Sequence, residues 1–310
     1  TKKLFPKLDE LIRTIEKKAE SVKGTIKTGR THLMDAMPID FAEELKAWSS
    51  QLQSSKEMLR ILEKKFLELP QGGTAVGSGI NAHKQFAKYF AQEITKLSGN
   101  KYKSVPSKNF YHELSAQDCS VQLSAELKNL AVILMKISND LRWMNSGPLA
   151  GLSEIELKAL QPGSSIMPGK VNPVIPEAVA MASADVIGND VSITVAAQSG
   201  SFQLNVMLPV IAYNLLKSIN LLSGAMNVLS KKAIRTFKVN NKNLEISLSK
   251  NPILVTALNP IIGYERAAAI AKKAYKENRP IVDVAAEETN ISKSKLSKLL
   301  DPAKLAKGGI

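Results

Sequence analysis

Between Gly163 and Pro173 the chain reads Gly-Ser-Ser-Ile-Met-Pro-Gly-Lys-Val-Asn-Pro, its densest run of chemistry-capable residues. Gly163 and Gly169 permit a tight loop, and successive backbone N–H groups in such a loop can form a nest for an anion. Lys170 adds a fixed positive charge, while Ser164, Ser165 and Asn172 add hydrogen-bonding groups. A lysine about 4 Å from a carboxylate gives roughly 4 kcal/mol at an effective dielectric of 20, so an anionic carboxylate suits this composition. On residue types alone the segment reads equally as an ordinary turn between helices. His32, His83 and His112 are the only histidines. A lone histidine near a helix boundary is more often structural than catalytic. With the single Cys119 the three show no metal-ligand spacing.

The elements that must carry these residues are helical. From Leu123 the apolar positions run Leu127, Leu130, Leu134, Ile137, Leu141, Met144, a 4,3,4,3 spacing typical of a bundle seam. A second seam runs Leu208, Ala212, Leu215, Ile219, Leu222, Met226, Leu229, with Pro209 expected to kink it early. The first segment repeats the pattern through Leu4, Leu8, Leu11, Ile15, Ala19, Val22 and Ile26. Segment 41–69 and a stretch starting near Pro176 complete five long helices. No alternating strand run of useful length is evident. Helices of 30 or more residues would be about 45 Å long and would expose more seam than one small domain covers, so a homo-oligomeric bundle is expected. The sequence therefore predicts a mainly α fold. A central helical domain spans 1–252, and a small helical domain spans 253–310, where Pro breaks at 260, 280 and 302 shorten the pieces. The Gly308-Gly309 end is expected to fray.

Composition narrows the function. The chain has 310 residues, 44% hydrophobic and 23% charged, which fits a globular protein. Aromatics are 5%, too few for stacking platforms on single strands. Net charge is +14, but only 7 of the 42 basic residues are arginine, so no nucleic-acid role is expected. One cysteine excludes a disulfide framework and a Cys-based zinc cluster. No 18-residue apolar run is apparent and the start lacks the apolar centre of a signal peptide, so no membrane association and a cytoplasmic location are expected.

The 163–173 segment resembles the signature of the fumarase/aspartase superfamily, G-S-S-x-M-P-x-K-x-N, at every fixed position. Three further blocks are similar to class II fumarases: Thr28-Gly-Arg-Thr-His-Leu-Met-Asp-Ala-Met-Pro38, Gly72-Gly-Thr-Ala-Val-Gly-Ser-Gly-Ile-Asn81 and Leu258-Asn-Pro-Ile-Ile-Gly-Tyr264. The resemblance implies a five-helix central bundle and reversible anti addition of water to fumarate, giving (S)-malate through a dianionic aci-carboxylate. It implies Ser164 as the base, and His32 as the group that handles water, paired with Glu177. Thr31, Ser165, Lys170, Val171 and Asn172 are implied as substrate contacts. A serine hydroxyl is a poor base, so its alkoxide needs support from Lys170 or loop N–H groups. The resemblance further implies a dicarboxylate substrate, no cofactor and no metal, and a homotetramer whose active sites draw on three subunits. His83 and His112 match no catalytic position, and Cys119 is expected to be a small core residue.

Aspartases, the nearest alternative, usually carry Gln where this chain has His32 and Ala where it has Gly169. The family also carries an N-terminal domain and a Ser-Ser-Asn-Asp stretch that contacts substrate. The nearest string here, Ile137-Ser-Asn-Asp140, lies on a different helix. The chain is therefore expected to begin in the first bundle helix and to be impaired by itself. A non-catalytic helical scaffold is the other class this leaves open.

Overall fold

In the computed structural model, which describes residues 2–308, the elements run α1 (Leu4–Ser21), β1 (Ile26–Thr31), β2 (Met34–Asp40), α2 (Phe41–Lys65), β3 (Glu68–Leu69), α3 (Phe86–Leu97), β4 (Val105–Pro106), α4 (Phe110–Ser115), α5 (Asp118–Met144) and β5 (Ile155–Glu156). They continue with α6 (Val174–Gln198), α7 (Leu208–Val228), a π-helical turn (Leu229–Ile234), β6 (Lys238–Val239), α8 (Asn241–Ser249) and a 3₁₀ segment (Pro252–Leu258). The last elements are α9 (Asn259–Ile262), α10 (Tyr264–Glu277), α11 (Ile281–Glu288), α12 (Lys293–Leu299) and α13 (Pro302–Leu305). The fold is mainly α, as expected. Of the Gly308-Gly309 end, where fraying was anticipated, Gly309 lies outside the described residues.

The apolar seams fall on α1, α5 and α7, three of the five long helices. In α5 Leu127, Leu130, Leu134, Ile137, Leu141 and Met144 are all buried, and so are Leu4, Leu8, Leu11, Ile15 and Ala19 in α1. None of the helices reaches 30 residues: α1, α2, α5, α6 and α7 have 18, 25, 27, 25 and 21. The first seam is cut short because Gly24 takes φ +82°, a left-handed conformation that ends α1, and Ile26 then opens a strand. Segment 41–69 ends its helix at Lys65, with Glu68–Leu69 paired to Val105–Pro106. Pro209 does not kink α7. It sits in the first turn, where a missing N–H costs nothing. Leu208 and Ala212 of the expected seam face outward, and Ile211, Ser218 and Ala225 are buried instead.

The chain divides into two compact units. One takes the N-terminal residues through Ile12, Ser50–Asp140 and Val174–Lys232. There α6 packs along α7. Polar bonds fix helix register: Asp190 accepts from Ser124 at 2.7 Å and pairs with Lys128 at 2.6 Å, and Asn189 donates to Ser218 at 3.2 Å. By length and composition α6 could cross a membrane, contrary to the reading that no such apolar run exists. It nevertheless carries Glu177, Asp185 and Asp190, the last two engaged with Lys217 and Lys128 of the same unit.

The other unit takes Arg13–Ser49, Leu141–Pro173 and everything from Ala233 onward. Its C-terminal helices enclose a core of Leu254, Val255, Leu258, Ile270, Ile281, Val284 and Leu296, among others. The 3₁₀ segment and α13 pack on β2, and α8 packs on β1. The β1–β2 hairpin overturns the expectation that no useful strand exists. It hid because its buried positions include Lys27, Thr28 and Gly29, so polarity does not alternate along it.

Gly29 faces a bulge: pairing runs Thr28↔Pro38, then Arg30↔Asp35, so Ala36 and Met37 oppose one residue. A Cβ at Gly29 would lie 2.6 Å from the Met37 carbonyl oxygen, which only glycine tolerates. Gly29→Ala is therefore expected to destabilise the chain by about 1–3 kcal/mol. Thermal melting checks this, and an unchanged midpoint would contradict the close approach.

In the first unit His112 Nε2 stands 3.0 Å from Asp118 and Nδ1 3.2 Å from Glu113. The hydrogen bond to Asp118 holds the imidazolium above the ordinary histidine value. Stabilisation from this pair is thus complete below the ordinary pKa of about 6.5 and fades as pH rises through the raised one. An NMR titration is expected to place the His112 midpoint above 6.5, and Asp118→Asn to bring it back down. Cys119 beside it is half-buried, not a core residue, and burial pushes its thiol pKa up.

Candidate active site

Thr31↔Met34 is the last pair of the hairpin, leaving His32 and Leu33 as a two-residue turn. Both have positive φ, 55° and 62°, the combination whose twist matches antiparallel strands. Such turns normally carry Asn-Gly, and holding a non-glycine residue there costs about 1–3 kcal/mol. The strained turn presents the His32 imidazole to solvent at the hairpin tip, with Thr31 exposed beside it.

The base of the hairpin is held by charge. Lys27, 2% exposed, donates to Glu44 Oε2 at 2.9 Å, and its Nζ lies 2.6 Å from Glu154 Oε2. Arg30 Nη1 donates to Glu154 Oε1 at 2.6 Å. The Lys27 ammonium also sits over the Phe41 ring, 4.8 Å from its centroid. Glu154 is fixed through its backbone: its N–H donates to Met144 O at 2.8 Å and its carbonyl accepts from Asn240 at 2.9 Å. At the bulge, buried Asn251 donates to Ala36 O at 2.8 Å while its Oδ1 accepts from Ile253 N–H at 2.9 Å.

Residues 163–172 close on themselves. Gly163 N–H donates to Lys170 O at 2.8 Å, and Asn172 Nδ2 donates to Gly163 O at 2.9 Å. A Cβ on Gly163 would fall 2.4 Å from the Lys170 carbonyl oxygen, so this closure requires glycine. Inside the loop Ser164 Oγ accepts from the backbone N–H groups of both Ile166 and Met167, each at 3.2 Å. The sequence anticipated a nest for an external anion. In the structure two of its donors are aimed at the serine itself. Asn172, expected at substrate, uses an Nδ2 hydrogen to pin the loop. Ser165, Lys170 and Val171 are exposed, and Lys170 has no ion-pair partner among the described residues.

Seven of the eight residues named from the sequence thus fall in the second unit, on the hairpin tip and this loop. The eighth, Glu177, lies in the first turn of α6 in the other unit, half-buried. No hydrogen bond links His32 or Thr31 to the loop among the described residues. His83 precedes α3, where its Nδ1 accepts from Gln85 N–H at 3.2 Å, in keeping with a local structural role. Among the described residues no group of three or more His, Cys, Asp or Glu side chains could hold a metal ion. Sequence reasoning missed Lys27, Glu154 and Asn251. Only the Gly29 notch hinted that β1 meets another backbone closely.

The lyase family model matches residues 1–188, and the fumarase C C-terminus model matches residues 254–307. The chain is 56% identical over 310 residues to fumarate hydratase class II 2 of Pseudomonas aeruginosa, covering all of this chain and 67% of that protein. It is 55% identical to fumarate hydratase class II of Xylella fastidiosa, covering 99% of this chain and 65% of that protein. The class II fumarase of Schistosoma mansoni superposes with a TM-score of 0.94 at 33% identity, covering 98% of this chain and 66% of that one. The chain thus spans about two thirds of the length of these relatives. The two matched models, the retained loop and hairpin blocks, and this shared fold make the chain a member of the lyase family that contains the class II fumarate hydratases.

Proposed function

We propose that the protein is a class II fumarate hydratase, a hydro-lyase that interconverts fumarate and (S)-malate. The observation that carries this reading is the pair of backbone N–H groups on Ser164 Oγ. Removing the proton next to a malate carboxylate requires a base, and an unaided serine alkoxide is far too costly at neutral pH. A hydrogen bond to a charged group is worth about 1.5–3 kcal/mol, so two preformed donors lower the cost of the alkoxide before substrate arrives. The same donors favour negative charge without having to reorganise during the reaction.

In this reading Ser164 takes the carbon-bound proton. Lys170, the exposed unpaired cation of the loop, meets a substrate carboxylate, with Ser165, the Val171 backbone, Asn172 and Thr31 completing its contacts. The aci-carboxylate gathers more negative charge than malate, so a fixed ammonium and N–H donors bind it more tightly than they bind the substrate. His32, paired with Glu177, delivers the proton to the departing hydroxyl and takes it back in hydration. Such a group contributes about 10²–10⁴-fold. Glu177 and the other seven residues meet in an assembled site that draws on several subunits of a homotetramer. Support for self-association comes from α6 and α7, which leave Met181, Val191, Val195, Tyr213 and Leu216 exposed. Residues 253–310 form the small C-terminal domain, and the protein works in the cytoplasm.

The rise in fumarate absorbance from malate tests the reading. It is run on this chain and on the chain joined to the N-terminal region of a class II relative. Turnover is expected in the joined form, with none from aspartate. A joined tetramer inert toward malate would sink the assignment. In the active form, Ser164→Ala and His32→Asn are each expected to lower kcat by about 10²–10⁴-fold with unchanged circular dichroism. Full activity in either variant removes that residue from its role.

A further inference from the structure

We propose that Glu154 is the positioning residue for the His32-Leu33 turn, acting through Lys27 and Arg30 of the strand that leads into it. The inference rests on the hydratase reading for its consequence in turnover, but its structural basis is independent of it. Arg30 stands two residues before His32, and its Nη1 donates to Glu154 Oε1 at 2.6 Å. Lys27, three residues further back, meets the other oxygen of the same carboxylate at 2.6 Å. One buried carboxylate therefore grips the strand at two points on the approach to the turn. The grip is itself anchored, since Glu154 is bonded through both its N–H and its carbonyl.

The turn needs such a mount. His32 and Leu33 both occupy left-handed backbone, a conformation that persists only where the surroundings impose it. Beyond the Thr31↔Met34 pair that closes it, the tip adds little: His32, Leu33 and Met34 are exposed, and the His32 side chain has no hydrogen bond among the described residues. Glu44 provides the internal control. It also pairs with Lys27, but it does not touch Arg30, the contact nearest the turn. The two cations and two carboxylates balance, so the cluster adds no net charge to compete with Lys170 for a dianionic substrate.

The test compares Glu154→Gln, Glu154→Asp and Glu44→Gln by amide hydrogen exchange on this chain and by malate turnover in the active form. Glu154→Gln is expected to speed exchange at residues 30–34 about tenfold. It should lower kcat roughly tenfold to a hundredfold, as a small misplacement of a catalytic group does, while KM changes less than about threefold. Glu154→Asp, charged but shorter, should recover part of both effects. Glu44→Gln should leave exchange at the turn and kcat near wild type even where it lowers the melting point. Equal losses in Glu44→Gln and Glu154→Gln would reduce the cluster to general stability and overturn the proposal, as would wild-type exchange and kcat in Glu154→Gln. Should Glu154→Gln fail to fold, Arg30→Gln breaks the same bond at a less buried site, and an unperturbed turn there has the same adverse meaning. If the wild-type protein does not turn over malate, the hydratase reading fails while the exchange measurement still decides the role of Glu154.

Discussion

The structure around the hairpin depends on burying the ammonium of Lys27. Taking such a charge out of water costs several kcal/mol even after relaxation, and the cost is met only where partners are placed with good geometry. Here Glu44 comes from the start of α2, Glu154 from the segment after α5, and the ring of Phe41 closes one side. Removing either carboxylate leaves an uncompensated charge in the interior, so β1, the head of α2 and the segment before β5 must come together as a set. Hydrophobic burial would tolerate sliding among these pieces, whereas a buried ion cluster does not.

The same division of labour recurs among the helices of the first unit. Apolar faces draw α5, α6 and α7 together, with leucines on α5 and α7 and mainly valine and alanine on α6, since apolar area is rewarded wherever it is removed from water. The choice of one register falls to a few directed bonds, such as Asp190 with Ser124 and Lys128, and Asn189 with Ser218. Asp40 performs a comparable task at the junction of strand and helix, where its carboxylate accepts from Gly24 and Ala42 N–H at 3.0 and 2.9 Å. It thereby closes the end of the hairpin and caps the start of α2.

Some of the chain's strained backbone lies where the chemistry is proposed. His32 and Leu33 take left-handed backbone, and Gly163 brings two backbones closer than a side chain permits. Ser164 draws two backbone donors that a simple turn would send to a carbonyl. The chain also leaves these groups open to solvent, with the apolar hairpin tip and the outer faces of α6 and α7 uncovered. Both features suit a site that is completed by assembly.

Much was legible in the sequence because it is written in local terms. Apolar seams at 4,3 spacing marked three of the five long helices, and breaks at Asn251-Pro252, Asn259-Pro260 and Arg279-Pro280 marked the short helices that follow. The Gly-Ser-Ser loop and the Thr-His pair stood out from residue type and motif alone. Helix lengths were overestimated because a periodic apolar pattern continues past a glycine that ends the helix, as at Gly24. The hairpin was invisible because its buried face holds Lys27 and Thr28, whose fitness for the interior depends on partners more than a hundred or two hundred residues away, Glu154 and Asn251. The sequence by itself determined the helical architecture, and its motifs nominated the reactive groups, since both are read from neighbours along the chain. Only the tertiary structure decided that a buried carboxylate meets both Lys27 and Arg30 below the histidine turn and that two backbone donors face the serine, because hydrogen bonds and ion pairs are specified by distances in space.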